Sequence, residues 1–475
     1  MQRIVILGAG PAGLGAALQL SRRGIAEVTV IDQNPSVGGL AGSFDVSGVT
    51  VDYGSHRLHP ACSPRVLRDL QNLLGYDLLS RPRHGRIRLR GHWIGFPLRP
   101  LDLVRHLPFG VALGAARDAL LRPARLRLAH QSSRSTESFA SVMRQGVGPS
   151  LYNAFYRPYA RKIWGLEPEA ISSVQATRRV AARSPLSLLR KATAAMPIIG
   201  NRARAAFYYP RGGYGQISQR LAEASEAAGA RMMLGSRIEA IDLSSDDHVS
   251  LRVTCGDRTV DVECDQVWST IPIPALVDRL TPTPPESVCQ AASALTSRAM
   301  VLVYLTLETD QFTGFDTHYF PEQNVPFSRV SEPKHFSGDG PRDRTVLCAE
   351  IPTSVDSDLW RMPQADATQR VANALADVGL PISAPISDTL VVRLPNVYPI
   401  YPVGFESSFD TADAWLSAQE RLVSFGRQGI FAHNNLHHVL DMAYAAVDCL
   451  DADARFDRQR WRDFRTEFDH QVVVD

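Results

Sequence analysis

The chain opens on a run whose spacing is suited to holding phosphate: Gly8-Ala9-Gly10-Pro11-Ala12-Gly13, with an acid, Asp32, 19 positions after Gly13. Glycines at these intervals permit a tight turn and let backbone N–H groups approach a pyrophosphate, and a carboxylate about 20 residues on can bind ribose hydroxyls. The chemistry is that of gripping a dinucleotide. For these residues to meet, the elements between them must be short and regular. Ile4-Val5-Ile6-Leu7 reads as a strand, Leu14 to Arg23 as a helix with Leu14, Ala17 and Leu18 on one face, and Glu27–Ile31 as a second strand ending at Asp32. Strand, glycine turn, helix, strand and acid follow in the order of a Rossmann-like nucleotide fold, with the helix N-terminus turned to the phosphates.

A second glycine pair follows, Gly38-Gly39-Leu40-Ala41-Gly42, and then Val51-Asp52-Tyr53-Gly54-Ser55-His56. Two glycines so soon after the acid let the chain pass close to the cofactor again. In these residues the sequence resembles the FAD-containing amine oxidase and protoporphyrinogen oxidase superfamily. Downstream the resemblance narrows to a UDP-galactopyranose mutase-like branch. It is carried by Gly54-Ser55-His56-Arg57-Leu58-His59, by Phe155-Tyr156-Arg157-Pro158-Tyr159 with Lys162-Ile163-Trp164-Gly165, and by Phe327-Ser328-Arg329-Val330-Ser331-Glu332-Pro333-Lys334-His335. Tyr398-Pro399, Tyr401-Pro402 and Gly426-Arg427-Gln428-Gly429 continue it. Two departures stand out: Ser36 occupies a slot where the amine oxidases have an Arg, and Asn434-Asn435 a place where many members have an Asp.

The resemblance implies FAD as cofactor and an α/β, Rossmann-like FAD-binding domain with a second, α+β substrate domain of mixed sheet plus helices. It implies cofactor contacts from Gly8, Ala9, Gly10, Ala12, Gly13 and Asp32, then Gly38, Gly39, Leu40, Ser55 and His56, then Ile238, Gly426, Arg427, Asn435 and Leu436. It places catalytic or substrate-binding roles on His59, Arg329, Tyr398 and Tyr401, with Arg329 holding a diphosphate through paired N–H donors. Architectural readings stay open beside these: Arg329 as a salt-bridge partner, the two tyrosines as half-buried loop rings, His59 as a structural histidine.

At 475 residues the chain exceeds one core, since cores stop growing near about 250–300 residues. The expected division is a discontinuous FAD-binding domain (1–80, 206–285 and 405–455), a substrate domain (81–205 and 286–404) and a C-terminal tail (456–475). In the first, a helix is expected over Ile217–Ala228 and a helix from His438 to Leu450, with strands at Met232–Leu234, Ile238–Ile241, Val249–Val253, Val267–Thr270 and Gly429–Phe431. In the second, Leu101–Leu128, Leu151–Ile163 and Leu186–Ala194 have helical periodicity, and Met300–Leu307 and Thr345–Ile351 alternate as antiparallel strands do.

Hydrophobic content of 44% and charged content of 21% exclude disordered and collagen-like classes. No apolar run approaches the roughly 18–20 residues a spanning helix needs, and Met1 leads at once into a strand, so a cytoplasmic protein without an export leader is expected. Six scattered cysteines without a C-x-x-C pair predict a reduced chain, and His433, His437 and His438 lack the companion ligands of a metal site. Charge is unevenly placed. Residues 81–205 hold 23 Lys and Arg against 5 Asp and Glu, leaving 28 against 44 elsewhere. Without a nucleic-acid-binding motif, this basic stretch points away from DNA or RNA. Its arginine-apolar mixtures over 101–204 suit peripheral contact with an anionic membrane, or a funnel for an anionic, diphosphate-bearing or lipid-linked small molecule; a solvated basic face is the plain alternative.

For function, the resemblance implies an oxidoreductase in which the flavin removes hydride from, or desaturates, a small anionic or sugar-like substrate. The alternative it carries is a redox-neutral nucleotide-sugar mutase in which reduced flavin N5 attacks the anomeric carbon. A third reading, from another class, is a flavoprotein that binds a membrane or partner without turnover.

Overall fold

The strands Gln2–Leu7 and Ala26–Ile31 pair in parallel, and their side chains alternate between two cores. Ile4, Ile6, Val28 and Val30 face one; Val5, Leu7 and Ile31 face the other. A sheet covered on both faces explains why the sequence shows a continuous apolar run here and no hydrophobic-polar alternation. The computed structural model describes residues 1–98, 102, 105–129, 138–179, 206–469 and 471–473. Among these, the sheet has five parallel strands in the order Leu422–Ser424, Gln266–Ser269, Gln2–Leu7, Ala26–Ile31, Arg231–Met233. The helix Pro11–Arg23 stops at Gly24, which takes φ +63° and returns its N–H to Leu20 and Ser21. It packs against Gln216–Ala227 and Leu436–Asp448. A Cβ on Gly15 would lie 2.7 Å from Leu440 Cδ2, so the bare glycine sets how closely two of these helices approach.

One sequence expectation fails here. The short strand at this edge is Leu422–Ser424, in register with Val267–Ser269, and not Gly429–Phe431. Gly426–Gly429 instead forms a helical turn and Phe431 takes φ +45°, which breaks any extended run.

A second sheet of seven strands runs Ile386–Pro399, Ser297–Leu307, Thr345–Thr353, Arg329–Ser331, Thr317–Tyr319, Gly85–Leu89, His92–Phe96. Its pairs are antiparallel except Thr317–Tyr319 with Gly85–Leu89. Two strands thus come from the arginine-rich stretch, where only helices were expected. Arg90 and Gly91 both have positive φ, the two-residue turn that matches hairpin twist. On one face Val301, Val303 and Leu305 pack on Val371 and Leu375 of the helix Gln364–Asp377, each fully buried side chain stabilising by about 1.5–3 kcal/mol. On the other, Met300, Leu302 and Tyr304 meet Val46, Val49 and Val51 of the hairpin Ser43–Val46/Val49–Asp52.

The segment expected only as a tail carries a helix, Arg458–Phe468, capped by the Asp457 side chain on Arg460 N–H at 2.9 Å, and Trp461 seats it in the main core. Within the basic stretch the helices Phe109–Ala129 and Arg157–Trp164 are present. Leu186–Ala194, with all of 180–205, lies outside the described residues.

Candidate functional site

A cavity of about 570 Å³ lies beyond the carboxyl ends of the parallel strands, between that sheet and the seven-stranded one. Parallel strands end where Gly8, Asp32 and Thr270 reach its wall, the usual place for a ligand in such folds.

The first part of the wall is main chain. Gly8 takes φ +105°, and a Cβ there would meet Thr270 Oγ1 at 2.4 Å. A Cβ on Gly13 would lie 2.0 Å from the Gly8 carbonyl oxygen, so helix and strand can join this closely only through glycine. Ala9 N–H donates to Asp32 Oδ2 at 2.7 Å, and Asn34 donates to Oδ1 from its backbone at 2.8 Å and its amide at 2.9 Å. Gly38 N–H donates to Ala9 O at 2.8 Å, stitching the second glycine turn to the first. Gly10 and Gly39 face each other across this seam: a Cβ on Gly39 would sit 3.8 Å from Gly10 Cα, and one on Gly10 would have nothing nearer than Gly38 O at 4.0 Å. The helices Pro11–Arg23 and Leu436–Asp448 both bring their N-termini to the wall, at Gly10 to Ala12 and at Asn435-Leu436. Asn435 N–H donates to His438 Nδ1 at 3.3 Å, and burial pushes the pKa of that histidine down to about 4.

Of the cofactor residues expected from sequence, Gly8, Gly10, Ala12, Asp32, Gly38 and Gly39 line the cavity, as do Leu40, Ser55, His56, Ile238, Arg427, Asn435 and Leu436. Ala9, Gly13 and Gly426 do not. They shape the turns behind it, Gly426 with φ +77° and a virtual Cβ 2.7 Å from Ala12 Cβ.

The opposite wall is side chain. Glu350 is 2% exposed at the centre of the strand Thr345–Thr353; its Oε1 accepts from Arg329 Nε and from Ser55 N–H, both at 2.8 Å, and its Oε2 from Arg329 Nη2 at 2.6 Å. Desolvation works against the Arg329 charge, but Glu350 holds its pKa well above the ordinary value, so the guanidinium stays charged. His56 stacks on Tyr214 with ring centroids 5.1 Å apart, and its Nε2 donates to the Tyr53 carbonyl at 3.0 Å. A carbonyl can only accept, so Nδ1 carries the lone pair. Burial lowers the His56 pKa, with Asp52 and Glu350 opposing, and the ring is therefore neutral. Tyr398 stacks on His433 at 5.0 Å, and the Arg427 guanidinium, anchored on the carbonyls of Asn434 and Val397 at 2.6 Å each, lies 5.5 Å from the Tyr398 ring centroid. Arg57 donates to Tyr319 Oη at 3.0 Å and Asp316 Oδ1 at 2.9 Å, and its guanidinium lies over both the Phe207 and the Phe336 ring, 5.2 and 5.0 Å from their centroids.

Three of the catalytic expectations change. Tyr401 is wholly buried away from the cavity: it stacks on Phe405 at 4.4 Å and donates to Phe431 O at 2.8 Å, because the chain has left the strand at Pro399 and turned into the core. His59 is not on the wall either; its Nδ1 accepts from Ala61 N–H at 3.0 Å in its own turn. Arg329 lines the cavity, but the paired donors expected to hold a diphosphate are engaged by Glu350, leaving Nη1 for a ligand. Tyr398 is on the wall. Sequence reasoning missed Glu350, Tyr319, Arg57 and Arg83. A signal for Glu350 existed: a lone carboxylate inside the apolar run Val346-Leu347-Cys348-Ala349-Glu350-Ile351 needs a buried partner. Among the described residues no group of three or more His, Cys, Asp or Glu converges as a metal site would require.

Comparison with known proteins matches residues 11–437 to the family of flavin-containing amine oxidoreductases. A dTDP-fucopyranose mutase from Escherichia coli is 21% identical over 375 residues, covering 75% of this chain and 83% of the mutase. A reduced UDP-galactopyranose mutase structure superposes with a TM-score of 0.78 at 21% identity, covering 94% of this chain and 93% of that one. A structure described as a putative protoporphyrinogen oxidase from Exiguobacterium gives 0.69 at 19% identity, covering 94% and 98%.

Proposed function

The chain belongs to the flavin-containing amine oxidoreductase family, and from that membership we propose that it is an FAD-dependent oxidoreductase acting on a small, anionic, sugar-like molecule. The carrying observation is the charge of the side-chain wall. Among the described residues, Arg57, Arg83, Arg329 and Arg427 line it with Tyr319, Tyr398 and Asn396, while Glu350 is the carboxylate that reaches the cavity on this side and Asp316 stands behind Arg57. A protonated amine would meet like charge there, whereas phosphate, carboxylate and hydroxyl groups would meet donors.

FAD is the cofactor of this family, and the cavity suits it. The Gly10–Gly39 seam is a cradle that any Cβ would narrow, and two helix N-termini favour the negative charge of a pyrophosphate. Asp32 would take the ribose, Gly10, Gly38 and Gly39 the phosphates, and Asn435 and Leu436 the far end. When bound, FAD supplies a two-electron acceptor. The side-chain wall does the rest. Arg329 and Arg427 would hold the anionic end, and the neutral His56 Nδ1 would take the hydroxyl proton of a substrate alcohol, while the C–H hydride, with both electrons and the second proton, would pass to the acceptor that FAD supplies, leaving a carbonyl.

His56→Asn tests this. It is expected to lower kcat by about 10²–10⁴ while flavin content stays intact, and wild-type activity should hold on the acid side to below the ordinary histidine range near about 6.5. A fully active His56→Asn would overturn the assignment. The two mutases among the similar proteins support a second reading, a redox-neutral rearrangement in the same cavity. Anaerobic mixing with nucleotide sugars and sugar acids separates them: bleaching of the oxidised flavin marks oxidation, and conversion by the reduced protein alone, with no net electron use, marks rearrangement.

A further inference from the structure

Asymmetry across the helix Phe109–Ala129 points to a role outside the cavity. Its inner face is fixed: Val111 is 3% and Asp118 2% exposed, and Asp118 Oδ2 accepts the Ser150 N–H at 2.7 Å. Phe109, Leu113, Leu120 and Leu121 point the other way, 82%, 61%, 82% and 47% exposed. Phe109, Leu113 and Leu120, spaced i, i+4 and i+11, fall within about 40° of one another and form one stripe opposite Val111 and Asp118, with Leu121 on its flank. Four of the ten large apolar side chains exposed among the described residues therefore sit on a single helix, which makes a patch and not a scatter.

Charge decides what covers it. From Asp102 to Ala129 the sequence has five arginines and two acids. Both acids are turned inward: Asp118 as above, and Asp102 onto the Gly95 N–H at 2.6 Å. Arg105 is exposed, and Arg117, 3.9 Å from Asp118 Oδ1 at its nearest, keeps 68% of its side chain in solvent. A second copy of the chain would set arginine against arginine, and nucleic acid would leave phenylalanine and leucine unexplained. Among the described residues no helix is long and apolar enough to cross a membrane. We propose that this face is a docking surface for an anionic lipid bilayer: the helix lies in the plane of the headgroups, Phe109, Leu113 and Leu120 enter the acyl boundary, and Arg105 and Arg117 pair with lipid phosphates.

The test is flotation of the full-length, flavin-loaded protein with vesicles of phosphatidylcholine alone and of phosphatidylcholine mixed with phosphatidylglycerol, at low and high salt. Binding to the mixed vesicles only, weakened by salt, is the expected result. Arg105→Gln with Arg117→Gln should weaken it about 30-fold, two cations at about 1 kcal/mol each. Phe109→Ser with Leu113→Ser and Leu120→Ser should abolish it, and because these side chains touch solvent, flavin content should match wild type. Equal binding to neutral vesicles, no binding to either, unchanged binding by both variants, or self-association lost in the serine variant without vesicle binding would each overturn the proposal.

Discussion

The two walls of the cavity are built on opposite principles. Toward the parallel sheet the wall is backbone: Gly8, Gly10, Gly38 and Gly39 offer bare Cα atoms and N–H groups fixed by the turns that contain them. Toward the seven-stranded sheet it is made of side chains, and Arg329, Glu350, Tyr319 and Tyr398 reach in from four different strands. A backbone wall recognises one shape and cannot be retuned without losing the turn. A side-chain wall can be rewritten one residue at a time, which is how one cofactor half can serve many substrates.

The hardest blow to this contrast comes from two glycines that behave differently. Gly13→Val should yield no soluble protein, since its Cβ would overlap the Gly8 carbonyl at 2.0 Å and that oxygen is main chain, which cannot swing aside. Gly10→Val has room in the protein itself, with its nearest atom at 4.0 Å, so it should fold with unchanged circular dichroism yet purify colourless. Full flavin occupancy in Gly10→Val would show that the backbone wall is not the cofactor side. A smaller effect is expected across the cavity. Glu350→Gln keeps the shape but leaves the Arg329 charge, 18% exposed, without its counter-ion. Loss of about 3 kcal/mol in denaturant unfolding is expected, with flavin retained. The smallest effect lies behind the side-chain wall, at Lys162. Its Nζ donates to Phe320 O at 2.7 Å and Phe327 O at 3.0 Å, and burial pushes its pKa down to about 7. Above that pH the unfolded chain, with a lysine near about 10.4, binds more protons than the folded one, so stability rises from about pH 7 toward pH 9. Lys162→Met should flatten that rise; an unchanged slope would place the titration elsewhere.

The same contrast explains what was legible in the sequence. Gly8, Gly13, Gly38 and Asp32 could be read because a turn's backbone geometry demands particular residue types at fixed intervals. Side-chain positions carry no such local mark. His56 and His59 are three residues apart in one loop, and only the fold shows that the first stacks on Tyr214 while the second closes its own turn on Ala61. Tyr398 and Tyr401 each precede a proline, yet one ends a strand at the cavity and the other lies past that end in the core. Glu350 was legible in principle, as a carboxylate in an apolar strand, but its partners lie 21 and 295 residues away.

Glu350 also ties the two walls together. One of its oxygens accepts at once from Ser55, on the loop after the strand Val49–Asp52, and from Arg329 in the seven-stranded sheet. A ligand that draws on Arg329 would change the carboxylate that holds Ser55, and a cofactor that seats the Ser55 loop would change the one that holds Arg329. Thermodynamic reciprocity then requires that substrate tighten or weaken FAD by the same factor by which FAD changes substrate affinity. Affinities measured on the flavin-free protein would therefore describe a different receptor from the one that turns over.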